Sequence, residues 1–228
     1  MRDIPTIVRV TASEAGSAFA LHIASLGEFM LPIGRDAFDE LVAAGQLFAL
    51  ARRGALVGIC YVKPDGKNLD EVPRWEYGGV HVSPDLRRTG LGTALSAVAV
   101  AAVSHDAPKP VMAYVHQANL EPLAMIVGRL GFVFTGKSIR LGPEQAPGYL
   151  RRDADGYATA DVLELPPHAV GRLADGLELL DRRTVRLADD LFPTGLETAA
   201  ENLRRTAYGS RASASEGRVV AGRSPGLS

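Results

Sequence analysis

The residues best suited to chemistry lie in one stretch, Val80-His81-Val82-Ser83-Pro84-Asp85-Leu86-Arg87-Arg88-Thr89-Gly90-Leu91-Gly92-Thr93. Such a chain runs from a β-strand through a tight glycine loop straight into a helix. That arrangement aims several unpaired backbone N–H groups at one spot, and the helix dipole adds about half a positive charge there. Gly90 and Gly92 let an anion approach without meeting a Cβ, while Arg87 and Arg88 supply cations. The chemistry implied is a phosphate or pyrophosphate cradle. A Walker loop is excluded because its spacing and Lys-Ser/Thr ending are absent, and a dinucleotide fingerprint because only one G-x-G step is present. The competing reading is a plain strand–turn–helix connection with incidental glycines.

The wider spacing favours the cradle. Arg87-x-x-Gly90-x-Gly92, after the strand end Val82-Ser83-Pro84, resembles motif A (Arg/Gln-x-x-Gly-x-Gly/Ala) of the GNAT superfamily of N-acetyltransferases. Downstream, Val115, Asn119, a helix carrying Ala124, and then Leu130-Gly131-Phe132 are similar to that family's motif B. The motifs span Glu76 to Phe132, and the order of elements follows the family from Thr6 to Arg140.

The resemblance implies an α/β fold, a mixed central sheet of the acyl-CoA N-acyltransferase type flanked by helices. It implies acetyl-CoA or another acyl-CoA as co-substrate, no metal, and transfer of acetyl to a primary amine by direct attack. The loop residues Arg87, Arg88, Thr89, Gly90, Gly92 and Thr93 would hold the pyrophosphate, and the backbone of Val80 and Val82 would pair with the pantetheine arm. Asn119 would sit beside that arm, although it also reads as the N-cap of the next helix.

Glu76 stands where many family members carry a glutamate that acts as base through water; the alternative is a solvated or paired strand carboxylate. A backbone N–H near Gly78-Gly79 would serve the oxyanion. The family often has a proton-donating tyrosine at the position of Val127, which cannot donate. Tyr114 and His116, on one face of the neighbouring strand, are the substitutes, with Tyr114 taken as the catalytic candidate. The departing thiol has a pKa near about 8.5 and can also leave as thiolate. The acceptor is expected to be a small-molecule or peptide amine, with protein amines and charged transfer RNA as variants. A non-catalytic acyl-CoA sensor or partner module is the rival reading, for which Val127 speaks.

The elements that must position these groups follow from pattern. Thr6–Val10 is a strand, and Thr11 with Glu14 forms a capping-box signal for the first helix. A second short helix covers Asp36–Ala44. Leu47–Ala51 and Ala55–Val62 are strands joined by Arg52-Arg53-Gly54, and Trp75–Val82 is the strand that delivers the cradle. Gly78-Gly79 within it marks a bulge or a close approach. A long helix with Leu91, Leu95, Val98 and Ala102 follows, then strand Val111–Val115, helix Leu120–Leu130, and strands Phe132–Leu141 and Tyr157–Leu165. Trp75 and Tyr77 either line an acceptor pocket or cover the sheet. His81 is expected on the opposite pleat from Val80 and Val82, and Cys60 as a small buried hydrophobe.

The acyltransferase domain is expected over residues 1–165, a helical extension over 166–208 and a flexible Ser/Gly/Arg-rich tail over 209–228. The apolar stripe of the extension, with Val170, Leu173, Leu177, Leu180, Val185 and Leu187 read as helical, must pack on the domain or on a second subunit of a homodimer. With 25 basic against 26 acidic residues the formal net charge is −1, which argues against nucleic acid as the partner. One cysteine excludes a disulfide framework and a multi-cysteine metal site. The amino terminus lacks a signal-peptide pattern, and the longest apolar run, Leu91–Val103, falls short of the roughly 18 residues of a membrane span. A cytoplasmic setting without membrane contact is expected, and the excess of Arg over Lys fits a GC-rich bacterial genome.

Overall fold

The computed structural model describes residues 3–66, 73–103, 109–178, 184–188, 190–191 and 197–205. The chain order is β1 (Thr6–Arg9), α1 (Ala15–Ser25), α2 (Arg35–Ala43), β2 (Leu47–Arg52), β3 (Ala55–Pro64), β4 (Trp75–Val82), α3 (Leu91–Val103), β5 (Val111–His116), α4 (Leu120–Met125), β6 (Val133–Leu141), β7 (Ala158–Leu165), α5 (Pro167–Glu178) and β8 (Arg186–Leu187), with residues 197–205 helical. The strands form one eight-stranded mixed sheet in the order β6-β7-β5-β4-β3-β2-β1-β8. The expected α/β architecture is therefore present.

The two faces of the sheet bury separate clusters. Phe38, Leu41 and Val42 of α2 and Ala15 and Ala18 of α1 pack with Leu47, Ala49 and Ile59 on one face. The other face carries α3, whose Leu91, Ala94, Leu95, Val98 and Ala101 are buried with Phe48, Leu50, Val62 and Tyr77. Ala94, Ala97, Ala99 and Ala101 keep α3 slim, so it lies close to the sheet and its N-terminus meets the end of β4. The start of α1 obeys half of its expected cap: Glu14 Oε2 accepts the Thr11 N–H at 3.0 Å. The Thr11 hydroxyl also donates to that carboxylate, at 2.8 Å, so the helix begins three residues later, at Ala15.

Two elements differ from the sequence-based expectation. The helix expected over Leu120–Leu130 ends at Met125 and continues as a π-turn over Ile126–Leu130, closed by Gly131 at φ +82. A Cβ on Gly131 would lie 2.8 Å from the Ala169 Cβ, so this glycine lets α5 dock. The second difference is β8, read as helical, which instead pairs parallel to β1 with Thr6 opposite Arg186 and Ile7 opposite Leu187. The Arg186 N–H donates to Pro5 O at 2.9 Å and the Ala188 N–H to Ile7 O at 2.9 Å. Pairing covers an otherwise open sheet edge, and that outweighs the helical spacing of its apolar residues. Leu180 and the segment 209–228 lie outside the described residues.

The elements after Leu165 bury Ala169, Val170, Leu173, Leu177, Val185, Ala199 and Leu203 in the same core as α3. Each large side chain so buried contributes roughly 1.5–3 kcal/mol of transfer free energy. A chain ending at Leu165 is expected to aggregate or to melt at least about 10 °C below the full chain. Equal solubility and an unchanged melting temperature, by differential scanning fluorimetry, would contradict this packing role.

Candidate functional site

The site begins where two parallel strands part. β4 and β5 pair only through Trp75–Val111, Glu76–Met112 and Tyr77–Ala113, although β4 runs on to Val82 and β5 to His116. Each is held along its other edge, β4 by β3 and β5 by β7. The register between β3 and β4 slips between Ile59 and Tyr61, which is the bulge signalled by Gly78-Gly79. Gly79 sits at φ +61, and the Tyr61 ring lies flat across the pair. A Cβ on Gly78 would come within 2.6 Å of Tyr61 Oη and one on Gly79 within 2.5 Å of Tyr61 Cε1. A side chain at either position would displace the Tyr61 ring, and at Gly79 it would also sit at a positive φ.

On one side of the gap lies the cradle groove, about 600 Å³, where Val80, Val82, Arg87, Arg88, Gly90, Gly92, Thr93 and Asn119 come together. The Ser83 N–H donates to Val57 O at 2.8 Å, so strand alternation turns the Val82 backbone groups away from β3. The Val82 carbonyl there accepts the Arg87 Nε–H at 3.1 Å. Gly90 adopts φ +87 and the Ala94 N–H closes the first helical bond to Gly90 O at 3.0 Å. The Leu91, Gly92 and Thr93 N–H groups are left at the helix start. A Cβ on Gly92 would make ordinary contacts at 3.5 Å with Met125 Sδ and Val82 Cγ2, so the fold itself does not require glycine there. Thr89 departs from the set: its hydroxyl donates to Leu86 O at 2.6 Å, and its side chain braces the loop instead of lining the groove.

On the other side is a larger cavity of about 660 Å³, bounded by the parted strands, the α1–α2 loop, and β6 and β7. Its floor is polar. Glu76, 6% exposed, accepts the Lys63 ammonium at 2.9 Å and the Tyr61 hydroxyl at 3.2 Å. Tyr114, from β5, donates to Asp65 Oδ2 at 2.8 Å. Burial first, and the Asp65 carboxylate second, push the Tyr114 phenol above its ordinary range, so it keeps its proton at neutral pH. Burial and the Glu76 charge do the same for Tyr61.

Glu76 and Tyr114 thus line one cavity, and Asn119 lines both the cavity and the groove. Asn119 stands at the N-cap position of α4 but makes no side-chain capping bond. Both ring nitrogens of His116, the other candidate acid, are engaged. Its Nδ1 accepts the Ala118 N–H at 3.1 Å, so Nε2 carries the hydrogen and donates to Arg151 O at 2.9 Å. Val127 packs against the core, and apolar Ile126 lines the cavity beside it. His81 lines the groove together with Val80 and Val82, because the open edge exposes both faces of β4. Its imidazole pKa is lowered, first by burial and then by Arg87. Sequence reasoning missed Lys63 and Tyr61, which bond Glu76, although both alternate on the strand beside it. It also missed buried His22, whose Nε2 accepts the Ile33 N–H at 3.1 Å and so pins the α1–α2 loop.

This arrangement, a parallel pair splayed at a bulge beside a glycine loop that opens a helix, defines an acyltransferase-type α/β fold. Residues 22–132 match the model of the acetyltransferase (GNAT) family. Solved structures agree on the fold. Arabidopsis thaliana NAA60, in complex with a bisubstrate analogue, is 14% identical over 70% of this chain and 96% of its own, with a TM-score of 0.53. A NatC complex bound to Gag peptide and CoA is 16% identical over 72% of this chain and 98% of its own, with a TM-score of 0.55. The diaminobutyrate acetyltransferase EctA from Paenibacillus lautus, in complex with its substrate and coenzyme A, is 14% identical over 72% and 96%, with a TM-score of 0.51. No curated protein sequence matches. Among the described residues, no helix is long and apolar enough to cross a membrane.

The bulge can be tested directly. Gly79→Ala places a Cβ against the Tyr61 ring at a positive φ, and is expected to cost about 2 kcal/mol of stability. Tyr61→Ser in the same chain should recover the steric part only. Urea unfolding of wild type, the two variants and Tyr61→Ser alone measures both terms, and a Gly79→Ala protein as stable as wild type would contradict the geometry.

Proposed function

We propose that this protein is an acyl-CoA-dependent N-acyltransferase that moves acetyl from acetyl-CoA to a primary amine by direct attack. The observation that carries the reading is the parting of β4 and β5 beside the cradle. Unpaired strand edges are costly unless something hydrogen-bonds them. A ligand with amides along an arm can add there as a strand would. The groove fits such a ligand: Arg87, Arg88 and the Leu91–Thr93 amides suit a pyrophosphate, and Gly92 keeps space that no protein atom demands.

When bound, acetyl-CoA supplies a thioester carbonyl for the amine to attack and a thiolate leaving group. The chain's own residues account for the rest. A backbone N–H at the Gly78-Gly79 bulge would stabilise the developing oxyanion. Glu76, on the cavity floor, would receive the amine proton through water, with Tyr61 and Lys63 fixing its carboxylate. Tyr114, on the same floor, would be the acid of this scheme, its hydroxyl turning from Asp65 Oδ2 to the departing sulfur. Asn119, between cavity and groove, would hold the arm that passes from one to the other. The engaged nitrogens of His116 and the apolar Ile126 and Val127 favour one rival, an acyl-CoA sensor without turnover.

Two variants test these roles. Gly90→Asp adds a side chain and a negative charge beside the expected pyrophosphate; the space around it is open, and the strain of about 1–3 kcal/mol at φ +87 is shared by the neutral control Gly90→Asn, which should keep most of the affinity. In Gly90→Asp, acetyl-CoA affinity, measured by calorimetry, should fall at least about 100-fold, the loss of a few charge-assisted hydrogen bonds. An undiminished affinity in a folded protein sinks the cradle assignment.

Glu76→Gln removes the base and keeps the shape. Turnover should fall roughly 10²–10⁴-fold at neutral pH with acetyl-CoA affinity intact. The deficit should shrink as pH rises toward the amine pKa, near roughly 10, where the acceptor is already neutral. Turnover within a few fold of wild type at every pH would remove Glu76 from the mechanism.

A further inference from the structure

We propose that the acceptor is a compact primary monoamine on an apolar body, alkyl or aryl, and that polypeptide N-termini are turned away. This rests on the acyl-transfer reading above and names the substrate class of the same site. Above the polar floor, the walls of the 660 Å³ cavity include Met30, Leu31, Ile139, Leu141, Leu150 and Val162. An apolar cavity of about 150 Å³ suffices for benzene, so this one has room for an acetyl group and an amine with one ring or a short alkyl chain. Burying that chain is the favourable contact the walls offer.

The rim explains the exclusion. The α1–α2 loop and the segment between β6 and β7 both line the cavity, and they are joined to each other. The Arg151 N–H donates to Glu28 O at 2.7 Å, and the Tyr149 hydroxyl donates to Met30 O at 3.3 Å. The Arg151 guanidinium stands 5.8 Å over the Phe29 ring and 3.8 Å from Glu28 Oε1, while His116 ties Arg151 O to the end of β5. These contacts bridge the two segments across this side of the rim. The chain that follows a peptide's N-terminus advances about 3.3 Å per residue and needs an open track between those segments, which the bridge occupies.

The apolar walls select further. A second ammonium on the acceptor's body would be buried against Met30, Leu31, Ile139 and Val162, none of which can hydrogen-bond it. The same low solvation favours the neutral, attacking form of the one amine that enters. A polyamine is therefore a poor fit.

The test uses the full chain with acetyl-CoA and a panel of ethylamine, butylamine, hexylamine, phenethylamine, spermidine and a hexapeptide with a free N-terminus. Thiol release and melting temperature are both read. We expect kcat/KM to rise about three- to fourfold per added methylene from ethylamine to hexylamine. Spermidine and the peptide should fall at least about 100-fold below hexylamine. Met30→Glu, on the half-buried rim, should flatten the methylene series. Turnover favouring spermidine or the peptide overturns the acceptor assignment and leaves acyl transfer standing. No thiol release with any amine, but a saturable rise in melting temperature with hexylamine that Met30→Glu removes, overturns acyl transfer and supports the apolar pocket. Neither release nor stabilisation overturns both.

Discussion

Everything at the site depends on one constraint: two neighbouring parallel strands that stop pairing partway along. Sheet strands normally stay paired because separated N–H and C=O groups lose hydrogen bonds without regaining them. Here each strand is held more firmly elsewhere. β5 pairs with β7 from Val111 to His116, and β4 pairs with β3 from Trp75 to Val82. With both outer edges fixed, the bulge at Gly78-Gly79 adds local twist and sends β4 away from β5. The opening is thus built into the register of four strands, which makes it a rigid feature of the fold.

Tyr61 couples that backbone device to the polar floor. Its ring needs both glycines to lie flat on β4, and its hydroxyl reaches Glu76. Lys63, two residues along the same face of β3, reaches the other Glu76 oxygen. The carboxylate orientation and the strand separation are therefore set by the same side chains. A group held this way lies within about half an ångström of its position without depending on a flexible loop, as a reacting site requires.

How much of this was legible in the sequence depends on range. The cradle is local: Arg87, Gly90, Gly92 and the helix after them lie within a few residues, and their spacing exposes their geometry before any folding. The Gly78-Gly79 pair was legible as a bulge or close approach, but not as a seat for Tyr61, because cross-strand register is set by partners far along the chain. β8 shows the opposite failure. Val185 and Leu187 have spacing compatible with a helix, yet the free edge of β1 claims the segment. His116 looked like a spare acid from its place on β5, and only the approach of Arg151, 35 residues away, shows its ring as a tie between elements. The cavity walls come from loops and hairpins distant in sequence, so the acceptor's character could not be read from any one motif.

Among the described residues none after Leu165 lines the cavity, yet these elements back the helix that opens at the cradle. α3 is apolar on nearly every side, so it needs cover on the face turned away from the sheet, and α5 packs against it there. Gly131 permits that docking, since any side chain would meet Ala169. Ser96 fixes the helix along its length: its hydroxyl donates to Gly92 O at 2.7 Å and meets the buried Tyr77 hydroxyl at 2.6 Å. Tyr77 is the last residue of β4 to pair with β5. One short chain of contacts, Tyr77 to Ser96 to Gly92, therefore links the point where the strands part to the amides at the helix start. The distance between the two halves of the site is set by a buried hydrogen bond, and the helix that carries it is held from behind by α5.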